Sequence, residues 1–269
     1  MKLLSITDRE FDQLRRLLYQ TAGISLADSK RQLVMGRLSK RLAQRGFDNF
    51  SGYLRAIAAG DESELRVMID LLTTNETSFF REPKHFDFLR EYVLKRPNRQ
   101  SPLSIWSAAC SSGEEPYTIA MVLMHALGDS VPWEILATDI STRILDRART
   151  GHYALERARN IPMDYLKRYC LKGVRDQAGT FMIAPEVREH VRFRHFNLMH
   201  AAPEGMGQYD MIFLRNVMIY FDMETKRKVV ANLLPRLRKG GYFLVGHSET
   251  LNGINEEVVA ERPSTYRKP

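Results

Sequence analysis

The stretch WSAACSSGEEPYTIA (106–120) runs from an apolar segment through small residues into two acids. Small residues let a ligand approach the backbone, and a helix start offers N–H groups that no internal carbonyl takes up. A dinucleotide fingerprint would need three spaced glycines, whereas here Gly113 stands alone before Glu114 and Glu115. Two carboxylates disfavour a pyrophosphate. They suit the cationic end of a ligand, such as a sulfonium or an amino group. They equally suit a plain helix start, where negative charge meets the positive end of the dipole. Asp139 closes the next apolar run, WEILATDI (133–140). A carboxylate there either accepts hydrogen bonds from ribose hydroxyls or, with Ser141, caps the following helix.

Two further stretches combine polar and aromatic groups. TTNETSFFRE (73–82) sets Asn75, Thr77 and Arg81 around Phe79 and Phe80. This is either a helix cap with a core anchor or the lining of a site between domains, where ligand sites concentrate. FLRNVMIYF (213–221) places Arg215, Asn216 and Tyr220 just past an apolar run. Tyr220 fits an active-site edge, and it also fits a core tyrosine with its hydroxyl at the surface. KGGYFLVGHSE (239–249) reads as a turn into a strand, and no role is assigned to His247. Arg37, Arg41 and Arg45 recur at helical spacing behind Lys30, largely apart from Val34, Leu38 and Leu42. Such a face is ordinarily solvated; its functional reading is an acidic partner.

The elements that must position these groups fall into two parts. Residues 1–72 read as helical. TDREFDQLRRLLYQTAG (7–23) has Thr7 and Glu10 at capping-box spacing, then Phe11, Leu14, Leu17 and Leu18 on one face, and Gly23 as a stop. Three more helical segments follow, with Gly46 closing the first of them. From residue 73 to 269 apolar runs alternate with amphipathic segments: 103–110, 114–128, 133–140, 142–151, 209–221, 224–241 and 242–249. That alternation predicts an α/β fold with a mainly parallel, doubly wound sheet, whose ligands bind at the carboxyl ends of the strands. Residues from about 164 to 190 break it, and GTFMIA (179–184) there predicts a small antiparallel insertion.

Composition narrows the class. The chain has 269 residues, 44% hydrophobic and 27% charged, as globular proteins do. Cys110 and Cys170 are too few for a disulfide framework and lack metal-site spacing. MKLLSITDRE turns polar too soon for a leader, and no apolar run approaches a membrane span of about 20 residues. A cytoplasmic protein with reduced thiols is expected. The formal charge of +8 favours anionic partners without choosing among nucleic acid, membrane surface and acidic protein.

TTNETSFFRE, AACSSGEEPYTIAM, LATDIS, FNLM, IFLRNVMIYFD and GGYFLVGHSE stand in order along the chain. Together they resemble the chemotaxis receptor methyltransferases (CheR), over nearly the whole sequence. The resemblance implies a helical N-terminal receptor-recognition domain (1–72) before a Rossmann-like methyltransferase domain (73–269) carrying a β-subdomain. It implies S-adenosylmethionine as methyl donor, S-adenosylhomocysteine as product, no metal, and glutamates on cytoplasmic receptor helices as acceptors. By motif position it makes Asn75, Thr77 and Arg81 cofactor contacts, Glu114 the ligand of the methionine amino end and Asp139 the ribose ligand. Asn197 and Leu198 would lie near the adenine, and Leu214 and Arg215 would flank the donor. Arg81 and Tyr220 would face the acceptor, and Arg37, Arg41 and Arg45 would meet the receptor. In some family members the β-subdomain captures a receptor C-terminal peptide. The GVRDQAG loop (173–179) is long enough for this.

A carboxylate is already nucleophilic at pH 7, so the implied reaction requires orientation and dryness rather than a general base. A nucleic-acid methyltransferase is disfavoured because no [DNS]PP[YFW] signature follows the fourth strand, where amino-methylating enzymes carry one. No nucleic-acid partner and no membrane insertion are expected. A non-enzymatic cofactor-binding scaffold is the remaining reading.

Overall fold

The computed structural model describes residues 4–96, 101–128 and 131–269; the first three residues of the opening stretch lie outside this range. Four helices open the chain: α1 (Asp8–Ala22), α2 (Arg31–Gln44), α3 (Phe50–Ala58) and α4 (Glu62–Leu72). The capping box at Thr7 and Glu10 is formed, and Gly23 ends α1 in the left-handed region at φ 71. Phe11, Leu14, Leu18, Val34, Leu38, Leu42 and Tyr53 are fully buried in one core. Each such side chain contributes roughly 1.5–3 kcal/mol by leaving water, which outweighs the propensities of short helices. Among the described residues a fifth helix, α5 (Lys84–Lys95), follows the TTNETSFFRE segment, where no helix was expected.

The larger part is a seven-stranded sheet. Its strands are β1 (Leu103–Ser107), β2 (Trp133–Asp139), β6 (Val191–His195), β7 (Tyr209–Leu214), β8 (Leu237–Val245), β9 (Val259–Arg262) and β10 (Thr265–Arg267). Their order is β6-β2-β1-β7-β8-β10-β9. The pairs from β6 to β8 are parallel, and β10 and β9 add antiparallel. Helices α6 (Glu114–Leu127), α7 (Thr142–Thr150) and α10 (Met223–Leu233) connect the parallel strands. The central strands are buried on both faces. Ile105, Met211, Phe213 and Leu244 join one core, whereas Trp106, Ile212, Phe243 and Val245 join the other. Period-two alternation inside a continuous apolar run produces that split.

Two expectations shift. The segment 224–241 is not one helix: α10 ends at Leu233, Leu234–Arg236 forms a 3-10 turn, and the strand starts at Leu237. Pro235 lacks the N–H that would continue the helix. The small sheet orders its strands β3-β5-β4, from β3 (His152–Ala154), β4 (Cys170–Lys172) and β5 (Thr180–Ile183), with α8 (Met163–Tyr169) before β4 and α9 (Pro185–Arg188) after β5. The expected span of about 164–190 takes in β4 and β5 but not β3. Three residues directly after a helix are too few to show an alternation.

The helical part docks on the sheet part through the end of α1. Asn197 Nδ2 donates to Thr21 O at 2.7 Å, and Ser25 N donates to Tyr220 O at 2.9 Å. A Cβ at Gly23 would run into Met199 and lie 2.7 Å from Thr225 Cγ2, so close approach and positive φ both require glycine.

Candidate active site

A cavity of about 460 Å³ opens at the carboxyl ends of β1, β2 and β7, beneath the helical part. The segments 22–33 and 72–78 form its second wall. Lys30, Glu76 and Ile219 are exposed as well as lining it, which marks where it meets solvent.

The turn after β1 is built by backbone geometry. Ser111 is left-handed at φ 48 and Gly113 at φ 96. Ser111 N donates to Asp139 Oδ2 at 2.9 Å, and Ser141 N donates to Oδ1 at 3.0 Å. Asp139 lies at the end of β2 and lines the cavity. Burial pushes its carboxyl up, against the N–H groups of Ser141 and Ser111 that favour the charged form. Each oxygen has lone-pair capacity left for a hydroxyl donor.

The two acids of the α6 first turn separate. Glu115 lines the cavity, with Oε1 accepting from Ser107 Oγ at 2.7 Å and Oε2 paired with Arg215 at 2.9 Å. Glu114 is fully buried and accepts from Ser112 Oγ at 2.6 Å and from Arg157 of the 3-10 turn Leu155–Asn160. Neighbouring residues on a helix point about 100° apart, so the two carboxylates take different partners. Glu115 is the one that lines the cavity, whereas the Glu114 carboxylate, which the resemblance places at the methionine amino end, is turned to Ser112 and Arg157.

Behind the cavity, Arg215 is an organising cation. It is 6% exposed and pairs with Glu115 and with Glu82 Oε2, each at 2.9 Å. Glu82 Oε1 accepts from Asn216 Nδ2 and His247 N, each at 3.1 Å. Burial works against the Glu82 charge, but the Asn216, His247 and Arg215 partners hold its pKa down at about 2. Burial, aided by the Arg215 charge, lowers the neighbouring His85 to about 4. Phe80, Glu82, Ser111 and Asn216 all have positive φ. Non-glycine residues in that region cost on the order of 1–3 kcal/mol each and cluster at functional sites.

Glu82, His85 and His247 present ligand atoms within 4.8 Å of one another. The Glu82 carboxylate is already taken by a guanidinium and two N–H groups, and a cation there would face Arg215. The cluster is a charge-balanced network rather than a metal centre.

Of the residues singled out from the sequence, Asn75, Thr77, Arg81, Asp139, Asn197, Leu198, Arg215 and Tyr220 line this one cavity. Asn197 does so while its amide holds Thr21 O and Met199 N. Leu214 is fully buried in the core at the end of β7. Arg37, Arg41 and Arg45 lie along α2 and are engaged within the helical part. Arg37 donates to Leu72 O and Thr73 O, each at 3.0 Å. Arg41 grips Glu64 through two bonds of 2.8 and 2.6 Å, and Arg45 pairs with Asp61 at 3.0 Å. Lys30, counted from the sequence only as part of that basic face, reaches the cavity instead. Glu82 and Glu249 were not singled out, because the partners that tie them to the site, Arg215, Asn216 and Ile219, come from 30 or more residues away.

A doubly wound parallel sheet, an acid ending the second strand and a cavity at the carboxyl edge define a Rossmann-like fold that takes a nucleoside-containing cofactor. Residues 9–73 match the family model described as CheR methyltransferase, all-alpha domain, and residues 75–266 match CheR methyltransferase, SAM binding domain. The chain is 44% identical over 244 residues to chemotaxis protein methyltransferase 2 of Pseudomonas aeruginosa, covering 90% of this chain and 87% of that protein. It is 38% identical over 265 residues to the chemotaxis protein methyltransferase of Salmonella typhimurium, covering 98% and 91%. With that of Borreliella burgdorferi it shares 39% over 275 residues, covering 98% and 96%. The chain belongs to the CheR methyltransferase family, whose enzymes use S-adenosylmethionine to methylate in chemotaxis.

Proposed function

We propose that the chain transfers a methyl group to glutamate side-chain carboxylates on the cytoplasmic helices of chemoreceptors. The products are glutamate methyl esters and S-adenosylhomocysteine. One observation carries the reading: Asp139, suited to the ribose of the donor, lines the same cavity as Arg81, Lys30 and Tyr220, which suit an anionic acceptor. The cofactor fits this lining. Asp139 retains acceptor capacity for ribose hydroxyls, and the volume lies in the range of small-molecule pockets, about 300–1,000 Å³. When bound, S-adenosylmethionine supplies an electrophilic methyl carbon on a positively charged sulfur.

The protein's own part is binding, orientation and exclusion of water. Asn75, Thr77, Asn197 and Leu198 shape the cofactor end, and Leu214 and Arg215 back the donor from β7. A carboxylate oxygen forms the new O–CH₃ bond as the C–S bond breaks, and no proton moves. Both charges diminish on the way, so a drier site favours the step. Tyr220 and Arg81 face the acceptor; a tight Arg81 pair would blunt the nucleophile, so Arg81 positions it. Glu114 takes part by fixing the cofactor turn through Ser112 and Arg157.

The finer partner assignments have separate support. The helical part stands over the cavity, where a receptor helix would arrive, and α2 offers Arg37, Arg41 and Arg45. Glu64 and Asp61 already balance Arg41 and Arg45, whereas Arg37 donates to the carbonyls of Leu72 and Thr73, so Arg37 is the one to test for steering by salt dependence. β4 is an edge strand, and Leu171 within it and Val174 just after it are exposed, which suits addition of a receptor C-terminal peptide as a strand. Titration with receptor tail peptides decides this; no binding leaves a structural excursion. Among the described residues no helix is long and apolar enough to cross a membrane. A cytoplasmic location accords with Cys110 and Cys170 being free thiols.

The test is transfer of labelled methyl to a soluble receptor fragment, to RNA and to DNA. Label on the receptor that is released by mild alkali marks an ester. Alkali-stable label, or label on nucleic acid, overturns the proposal.

A further inference from the structure

Three backbone N–H groups around the turn after β7 converge on one carboxylate. Glu249 Oε2 accepts from Asn216 N at 2.8 Å and Gly246 N at 2.7 Å, and Oε1 accepts from Ile219 N at 3.3 Å. The turn they hold is strained, with Asn216 left-handed at φ 57. It then runs directly into the 3-10 turn Met218–Tyr220. Gly246 is glycine because a Cβ there would lie 2.5 Å from Asn216 Nδ2 and 2.9 Å from Glu249 Oε2. The GHSE stretch at 246–249 thus supplies both the clearance and the clamp.

We infer that Glu249 is a positioning residue that fixes the 216–221 turn and thereby aims Tyr220 into the cavity. The inference rests on the reading of Tyr220 as facing the acceptor. A carboxylate meets the requirement because both of its oxygens accept. An amide of the same shape has one accepting oxygen, and its NH₂ must face at least one of the three N–H groups.

The experiment is a double-mutant cycle in the full chain, using methyl transfer to a receptor fragment, S-adenosylhomocysteine binding by calorimetry, and thermal melting. Glu249→Gln should lower kcat about tenfold while leaving product affinity within about twofold and the fold intact. In a Tyr220→Phe background the same change should cost less than about threefold, because the two act through one contact. An equal fall in both backgrounds overturns the inference, as does a parallel loss of product affinity. Glu249→Gln at the wild-type rate removes the inference alone, whereas Tyr220→Phe at the wild-type rate removes the Tyr220 reading beneath it. If Glu249→Gln does not fold, Gly246→Ala crowds the same clamp and must show the same non-additivity; additivity there overturns the inference equally.

Discussion

Asp139 joins two tasks in one side chain. Its oxygens hold Ser111 N and Ser141 N, and the same carboxylate faces the cavity. Asp139→Ala should therefore weaken S-adenosylhomocysteine binding by the ribose bonds, each roughly 0.5–1.5 kcal/mol, and also lower the melting temperature. Calorimetry on the folded variant checks this; unchanged affinity would remove the ribose assignment. Tyr220→Phe belongs to the other kind of residue. It should lower turnover more than cofactor affinity, since its partner is the reacting centre. Full activity with normal cofactor binding would rule Tyr220 out. Asp139 was legible because it ends an apolar run at a fixed place in an alternating pattern. Glu115 was not separable from Glu114, because a sequence gives adjacency but not which way a helix is turned.

At the scale of elements, α2 is tied to α4 by Arg41 and Glu64. Glu64 is 1% exposed on its side chain and also accepts from Tyr53 Oη at 2.9 Å. The Arg41 hydrogen bonds hold its pKa low despite burial. Arg41→Ala leaves Glu64 with Tyr53 and a longer contact to Arg45 at 3.3 Å, and should destabilise by roughly 2–4 kcal/mol, somewhat below a fully buried pair because Arg41 keeps access to water. Arg45→Ala, which loses the more exposed Asp61 pair and only a longer contact to Glu64 at 3.3 Å, should cost less, about 1 kcal/mol. Denaturant unfolding separates the two, and equal losses would contradict the assignment. The i,i+4 spacing of these arginines was legible, but their commitment to α4 was not. That depends on helices packing across a loop whose path no periodicity specifies.

For the whole molecule, the buried network behind the site sets the response to acid. His85 has its pKa lowered to about 4, so the unfolded chain takes up a proton that the folded one refuses. Stability should fall as pH drops from about 6.5 to 4, by an amount on the order of 3 kcal/mol, and change no further below that. Glu82, held down at about 2, adds a second loss as pH falls from about 4.5 to 2. Both act in the same direction, in successive windows. Thermal melting across pH should show a smaller decline between 6.5 and 4 in His85→Phe than in wild type. Identical curves would show that His85 does not titrate as its burial demands.

The sequence by itself determined the parts that depend on local period and short spacing. The four opening helices, the alternating strands and helices of the sheet part, and the small-residue turn before two acids follow from repeats of 3.6 and 2 residues and from capping chemistry. The motif order was specific enough to imply the family. The tertiary structure decided what depends on direction and on distant partners. It turned Glu115 rather than Glu114 into the cavity, brought Lys30 to the site and bound Arg41 to Glu64. It also joined Glu82, Arg215, Asn216 and Glu249 across more than 100 residues of chain. Charges and N–H groups that meet only after the sheet has closed carry no signature along the chain. Their pairing follows from the removal of water around them, which makes any unpaired arrangement too costly.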